Sequence, residues 1–502
     1  MTIQDTTREI SLLHRRKQKK GAGRSLRANL TLRTIICALP VIAAGPAFAS
    51  DAQTPAQRSF QACEDAHIDS SLEGSLCTKV QTPLDYADLD NEKVDLFIRK
   101  FPASKPAKGQ LWLIAGGPGE SGASFYPFLE TIRATAPDFD LMIPDHRGTG
   151  YSTRLCREEE SAESPNGTSL AGAEWGSCFG ELNADVERTH AFSISNAARD
   201  LNFLMDRFDT EKSRYVYGVS YGTQLVLRTM AIAPPENVDG IILDSLVPPE
   251  DSTVWDLSHR SAIVDNVGRQ ILRDCEEQPE CREAFSDTLE DDMQGLLEDP
   301  AMKDVLGPNP KYVFSAFLDI PETRNLIPSI IADLRAGNPE SLEKAKTELT
   351  KLGEKFGAYP QAPSSIPLVS LISRSENTAR PELTAEDVGR EEEDYLFASP
   401  LSLQLLQGGF PTYEKDGSFA SSPKHLPPTL VLHGGLDPKT PYEGAVEHVA
   451  LIESAGPVQF VTVERGPHFI MMTAPNCYEK TVQHFMAQGV GENTSCELVV
   501  SP

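Results

Sequence analysis

The sequence is poor in positive charge. Its 502 residues hold 46 Lys and Arg against 73 Asp and Glu, a formal net charge of −27. Neutralising phosphates takes clustered Lys and Arg, so this argues against nucleic acid as a partner, and against anionic lipid surfaces; neither is expected. No apolar run is long enough to span a bilayer; the stretch 34–44 falls short. No segment recurs at a fixed period, which argues against a solenoid or propeller. There is no C-x-x-C pair and no nearby pair of His ligands, so neither a zinc site nor any other metal is expected. What is present is ordinary globular composition, 40% hydrophobic and 24% charged. The length suits a large α/β domain with an insertion, or two domains.

The N-terminus reads as an address. Residues 14–20 are HRRKQKK, Arg24, Arg27 and Arg33 follow, and the apolar run 34–44 leads to Ala47-Phe48-Ala49. A basic region, a short apolar region and a small-residue A-x-A site make residues 1–49 a signal peptide, cleaved after Ala49. The rival is an uncleaved anchor. Arg15-Arg16 lacks the apolar residues of a twin-arginine signal, and Ile36 stands before Cys37 where a lipoprotein needs a small residue. The mature chain is therefore expected to be exported, periplasmic or secreted, with no membrane attachment. Eight cysteines remain beyond the signal, an even number that implies disulfides in an oxidising compartment. Composition leaves their connectivity open. The expected pairs are sequential, Cys63 with Cys77, Cys156 with Cys178, Cys275 with Cys281 and Cys477 with Cys496, since each closes a short loop beside an insertion or terminus.

Short apolar runs at 109–114, 139–143, 214–219, 240–243, 429–433 and 459–463 read as buried strands, and alternation at 94–98 adds an edge strand. Between them, 196–208 places Ala197, Leu201, Leu204 and Phe208 on one helical face, and 223–233 is a second helix stopped by Pro234-Pro235. Alternating strands and helices predict an α/β fold with a mostly parallel sheet. The rhythm breaks over 248–428, which is helix-rich and acidic. The expected organisation is a core in two parts, 50–247 and 429–502, with 248–428 an inserted helical lid; an independent middle domain is the alternative.

Three motifs carry chemistry. Residues 215–222 (YVYGVSYG) run from a strand through G-x-S-x-G into a helix, the context of a nucleophile elbow, which exposes Ser220 at a helix N-terminus. A second strand ends in HGGLD and presents Asp437; after one more strand comes RGPH, presenting His468. Serine, aspartate and histidine in that order, each after a strand, suit nucleophile, orienting acid and base. His433, His448 and His484 are rival bases, disfavoured because the first lies in or at the end of a strand and the others on helices. Third, 115–119 (AGGPG) follows a strand, so its backbone N–H groups can face an oxyanion; Gly117 and Tyr221 are the expected donors. Asp145 and Arg147, in DHRGTGYS, are expected to brace loops.

Jointly, VQTPLDY (80–86), AGGPGESG (115–122), PDHRGTGYS (144–152), NAARDL (196–201), YGVSYGT (217–223), HGGLDPKTP (433–441) and GPH (466–468) resemble the proline iminopeptidase and tripeptidyl aminopeptidase group of α/β-hydrolase serine exopeptidases. The resemblance covers nearly all of the mature chain. It implies an α/β-hydrolase fold with a helical lid, a Ser220–His468–Asp437 triad, no cofactor, and a peptide or small acyl substrate. It also implies acidic residues that hold the substrate's α-ammonium group, with Glu376 the first choice and Glu120 the second. The sequence departs from the group at Ala115, where His is frequent, at Glu120, where Gly is usual, and at Arg374, near Glu376. The alternatives are a carboxylesterase or lipase with the same triad, and a silent binding protein on the same scaffold.

Overall fold

Short aliphatic strands that are apolar on both faces cannot stand alone; they pair side by side and take helices on each side. The computed structural model describes residues 59–499 apart from 162, 283–284, 286–287 and 407. The expected signal peptide and Cys37 lie outside the described residues. Among the described residues ten strands form one sheet: β1 (Gln61–Ala62), β2 (Leu76–Asp85), β3 (Asp88–Phe101), β4 (Gly109–Ile114), β5 (Phe139–Pro144), β6 (Ser213–Val219), β7 (Gly240–Asp244), β8 (Thr429–Gly434), β9 (Val458–Glu464) and β10 (Thr494–Glu497). Their order is β1-β2-β3-β5-β4-β6-β7-β8-β9-β10. Pairings from β1 to β3 and between β3 and β5 are antiparallel; all pairings from β5 through to β10 are parallel.

The six expected core strands correspond to β4 through β9. Alternation sorts their side chains to two faces. Trp112, Ile114, Val216, Ile241, Leu243 and Val431 share one core with helices Ile194–Arg207 and Tyr221–Ile232. Leu111, Leu113, Tyr217, Ile242, Leu430 and Leu432 share the other with helices Leu129–Thr135 and Pro475–Gln488. Three strands escaped the sequence reading, β1, β2 and β10, and the expected edge strand at 94–98 lies inside the sheet, in β3 between β2 and β5. β2 interleaves Lys79 and Gln81 with its buried Val80 and Thr82 and contains Pro83, which reads as a break. β10 is four mostly exposed residues without apolar signal.

Between β7 and β8 the described residues hold helices and no strand. These helices bury a core of their own, including Val264, Leu272, Phe314, Ile330, Ile331 and Leu342. No helix among the described residues is long and apolar enough to cross a membrane. Disulfides join Cys63 to Cys77, Cys156 to Cys178, Cys275 to Cys281 and Cys477 to Cys496.

Candidate active site

Parallel strands present their following loops at one edge of the sheet. Ala115 follows β4, Asp145 β5, Ser220 β6, Asp244 ends β7, Asp437 follows β8 and His468 follows β9. Ser220 sits at φ 54 and ψ −125, a strained turn between β6 and the helix Tyr221–Ile232. The turn requires close packing. A Cβ on Gly218 would stand 2.6 Å from the Gly222 carbonyl oxygen, and one on Gly222 would overlap the Ile114 carbonyl of β4. Ser220 is part-exposed, and its backbone N–H donates to Asp244 O at 3.0 Å.

Asp437 is fully buried. One oxygen accepts the Lys439 and Thr440 N–H groups at 2.7 and 2.9 Å. The other accepts the Thr440 hydroxyl at 2.8 Å and His468 Nδ1–H at 2.7 Å. Burial alone would raise this carboxyl's pKa, but the charge and hydrogen bond of His468 outweigh it and hold Asp437 far below the usual carboxylate range. A carboxylate only accepts, so Nδ1 of His468 is the donor and Nε2 is left for a second partner. His433 lies nearby, with Nε2 3.9 Å from Asp437 Oδ2, but that nitrogen meets the Thr440 carbonyl at 2.9 Å and burial lowers its pKa. His448 faces the Val247 carbonyl and His484 rides on the helix Pro475–Gln488.

Asp244 and Ser245 join the three loops. Asp244 accepts the Tyr217 hydroxyl at 2.7 Å and the Ile470 and Met471 N–H groups at 2.8 and 2.9 Å. Ser245 accepts the Phe469 N–H at 2.8 Å, and its carbonyl lies 3.3 Å from the Thr440 hydroxyl oxygen. The sequence reading missed both. The available signal was position: Asp244 ends a buried parallel strand at the same edge.

At the β4 loop, Gly117 has φ +109, a conformation that favours glycine, and a side chain there would overlap the Gly119 backbone. A Cβ on Gly116 would lie 3.2 Å from Ser220 Cβ and 3.4 Å from Glu120 Oε2, so Ser220 and the Glu120 carboxylate flank the same glycine. Glu120 is open to solvent yet ringed by protein that pushes its pKa up, against the pull of His468 and Lys439. It has no hydrogen bond or ion pair among the described residues. Tyr221 buries its hydroxyl beside the His146 ring, at 5.5 Å between ring centres.

Glu376, expected to hold the substrate's amino end, is engaged by other side chains. It is buried at the end of the helix Ile366–Ser375. One oxygen accepts Arg228 Nη2 at 2.7 Å and the other the Tyr413 hydroxyl at 2.7 Å. Its counter-ion is Arg228, which also holds Glu250 at 2.6 Å. Burial raises its pKa against those partners. Asp145 and Arg147 brace loops: Asp145 accepts the Gly122 and Tyr151 N–H groups, and Arg147 pairs with Asp200 and binds the Leu84 and Ala191 carbonyls.

Residues 111–287 match the profile of the α/β hydrolase fold, and residues 405–496 match that of TAP-like proteins. The chain is an α/β hydrolase of the TAP-like kind. This hydrolase is 22% identical over 456 residues to the serine protease Hip1 of Mycobacterium tuberculosis, covering 83% of this chain and 86% of that protein. It is 25% identical over 419 residues to the tripeptidyl aminopeptidase of Streptomyces coelicolor, covering 76% of each. Over 117 residues, 21% of each chain, it is 30% identical to carboxylesterase B of Mycobacterium tuberculosis.

Proposed function

We propose that the protein is an exported serine aminopeptidase that works through an acyl-enzyme, with Ser220 as nucleophile, His468 as base and Asp437 as its orienting acid. The observation that carries the reading is the 2.7 Å contact between His468 Nδ1 and the buried Asp437, at the sheet edge where Ser220 occupies its strained turn. Ser220 Oγ attacks the carbonyl carbon as His468 Nε2 takes its proton. The oxyanion is met by the Gly117 and Tyr221 N–H groups. Collapse breaks the bond to the leaving amine, which takes the proton from His468. Water, deprotonated by His468, then frees the acyl group and returns the hydroxyl to Ser220.

An exopeptidase must hold the substrate's α-ammonium near the nucleophile, and a desolvated ammonium needs a carboxylate. Glu120 fits this better than Glu376, because it is unpaired among the described residues and flanks the same glycine as Ser220. Each oxygen of Glu376 already accepts a hydrogen bond, one from Arg228 and one from Tyr413. Relatives named as a serine protease and a tripeptidyl aminopeptidase support a peptide substrate. The four disulfides support an oxidising compartment and hence the reading of residues 1–49 as an export signal, and the helices between β7 and β8 suit a lid.

A fluorophosphonate probe followed by a panel of aminoacyl, dipeptidyl and tripeptidyl anilides, free and N-acetylated, beside short acyl esters, tests the proposal. Ser220-dependent labelling with preference for free amino ends is expected. An unlabelled Ser220 would mean a silent scaffold. The likeness to carboxylesterase B over 117 residues favours a second reading, an esterase, which predicts ester turnover and equal rates on free and acetylated peptides.

A further inference from the structure

The helices between β7 and β8 reach back to the proposed triad through one side chain. Arg324 ends the short helix Pro321–Arg324, and its guanidinium is buried. Nε and Nη2 donate to Leu318 O at 3.1 and 2.6 Å, within the same helical segment. Nη2 also donates to Leu436 O at 2.8 Å, and Nη1 to Arg465 O at 2.9 Å. Leu436 directly precedes Asp437, and Arg465 lies just ahead of His468. Loops that follow two different strands therefore hang on one planar group.

Every one of those acceptors is a neutral carbonyl. Among the described residues no carboxylate forms an ion pair with Arg324; burial brings its pKa down to about 10 against the longer-range pull of Asp437 and Asp319. Filling space alone would be served better by an apolar side chain, since a buried cation without a contacting counter-ion is costly. Two other ties join the helices to these loops, Lys439 to Asp319 at 2.9 Å and Arg465 to Asp274 at 2.6 Å. Their Lys439 and Arg465 side chains are 42% and 49% exposed, so water and salt weaken both pairs. The buried fork of Arg324 is the directional tie.

We infer that Arg324 is a positioning residue, which fixes the spacing between the Asp437 and His468 loops and couples that spacing to the seating of the inserted helices. The inference rests on the serine-hydrolase reading above. A guanidinium presents its donors in a rigid plane, so it holds two carbonyls at a set separation; a lysine ammonium is a point charge on a flexible stem. Misplacing catalytic groups by about 1 Å, even through a change far from the chemistry, costs roughly 10²-fold in rate.

The test compares Arg324→Gln and Arg324→Lys with Arg269→Gln, which breaks the Asp265 and Glu290 ion pairs inside the helical segment and whose side chain bonds to neither loop. Fluorophosphonate labelling taken to completion counts active sites, kcat is expressed per labelled site, and amide hydrogen exchange is followed over 433–440 and 465–470. Arg324→Gln is expected to lower kcat per site roughly 10²-fold with KM nearly unchanged, Arg324→Lys to lower it less, and both to speed exchange in the two loops. Arg269→Gln is expected to lower Tm alone. Wild-type kcat per site together with wild-type exchange in Arg324→Lys would overturn the inference, and that variant decides alone if Arg324→Gln does not fold. A wild-type enzyme that the probe leaves unlabelled would remove the serine-hydrolase reading instead, and the exchange measurement would still decide whether Arg324 ties the loops.

Discussion

Asp437 and Asp244 at the sheet edge take much of their hydrogen bonding from backbone N–H groups: Lys439 and Thr440 for the first, Ile470 and Met471 for the second. Glu376, in the segment between β7 and β8, is satisfied by side chains, the Arg228 guanidinium and the Tyr413 hydroxyl. The difference matters for chemistry. Backbone donors fix a carboxylate in direction without cancelling its charge, so Asp437 keeps an oxygen for His468. A guanidinium offsets charge as well as fixing direction, and Arg228 divides its single positive charge between Glu376 and Glu250. The segment's fully buried reach toward the sheet edge is instead cationic, through Arg324.

The largest effect separates the edge from everything else. Ser220→Ala is expected to lower kcat by roughly 10⁴-fold or more, because only oxyanion and binding effects survive loss of a nucleophile. Steady-state turnover of a clean preparation measures it. Wild-type-like turnover would move the chemistry away from the edge.

The next asks which region holds the amino end. N-acetylating a good peptide substrate is expected to cost about 2–5 kcal/mol in kcat/KM, the scale for leaving one member of a buried charge pair unpaired. Glu120→Gln should narrow the ratio of free to acetylated rates, and Glu376→Gln should not. The opposite pattern would return that role to the helical segment, with Arg228 displaced when substrate binds.

The sequence reads best where local rules and fold agree. β4 to β9 are legible because a strand apolar on both faces has few other places to go, and the glycines around Ser220 mark a turn that only the absence of Cβ permits. Asp437 and His468 are legible because each directly follows such a strand. Arg228, Arg324 and Tyr413 are not. Each acts on a partner far along the chain, Arg228 on Glu376, Tyr413 on the same carboxylate, Arg324 on the loops after β8 and β9. Periodicity places a side chain on a helix face but does not say what faces it across the fold. For that reason the sequence put Arg374 beside Glu376, where the fold puts Arg228.

A smaller pair of effects sharpens the same contrast in stability. Asp244→Asn leaves an amide that can accept fewer of the hydrogen bonds now made by Tyr217, Ser245, Ile470 and Met471, and should cost about 1–3 kcal/mol of unfolding free energy. It should also lower kcat, because the loop that carries His468 hangs on those bonds. Glu376→Gln should cost a similar amount, with Glu250 still paired to Arg228, but leave kcat near wild type on an acetylated substrate. Denaturant unfolding beside kinetics separates them. Equal kinetic damage would mean that the two regions position the site alike.

The smallest effect lies behind Ser220. His146 follows β5 and is buried beside Tyr221; its Nδ1–H donates to the Arg147 carbonyl at 3.1 Å, and its Nε2 has no partner among the described residues. Burial brings its pKa from the usual 6.5 down to about 4, with Arg147 and Arg154 adding to the fall. The unfolded chain therefore binds a proton near pH 6.5 that the folded one refuses until about pH 4, and stability falls as pH drops through that window. Between pH 7 and pH 5.5 this single group should remove about 1 kcal/mol. His146→Phe keeps a ring against Tyr221 and has nothing to protonate, so its loss of stability over that interval should be smaller than wild type by that amount. Groups that titrate alike in both proteins cancel in the difference. Identical pH dependence would mean that His146 takes up its proton alike in the folded and unfolded chain, against the desolvation that its burial implies.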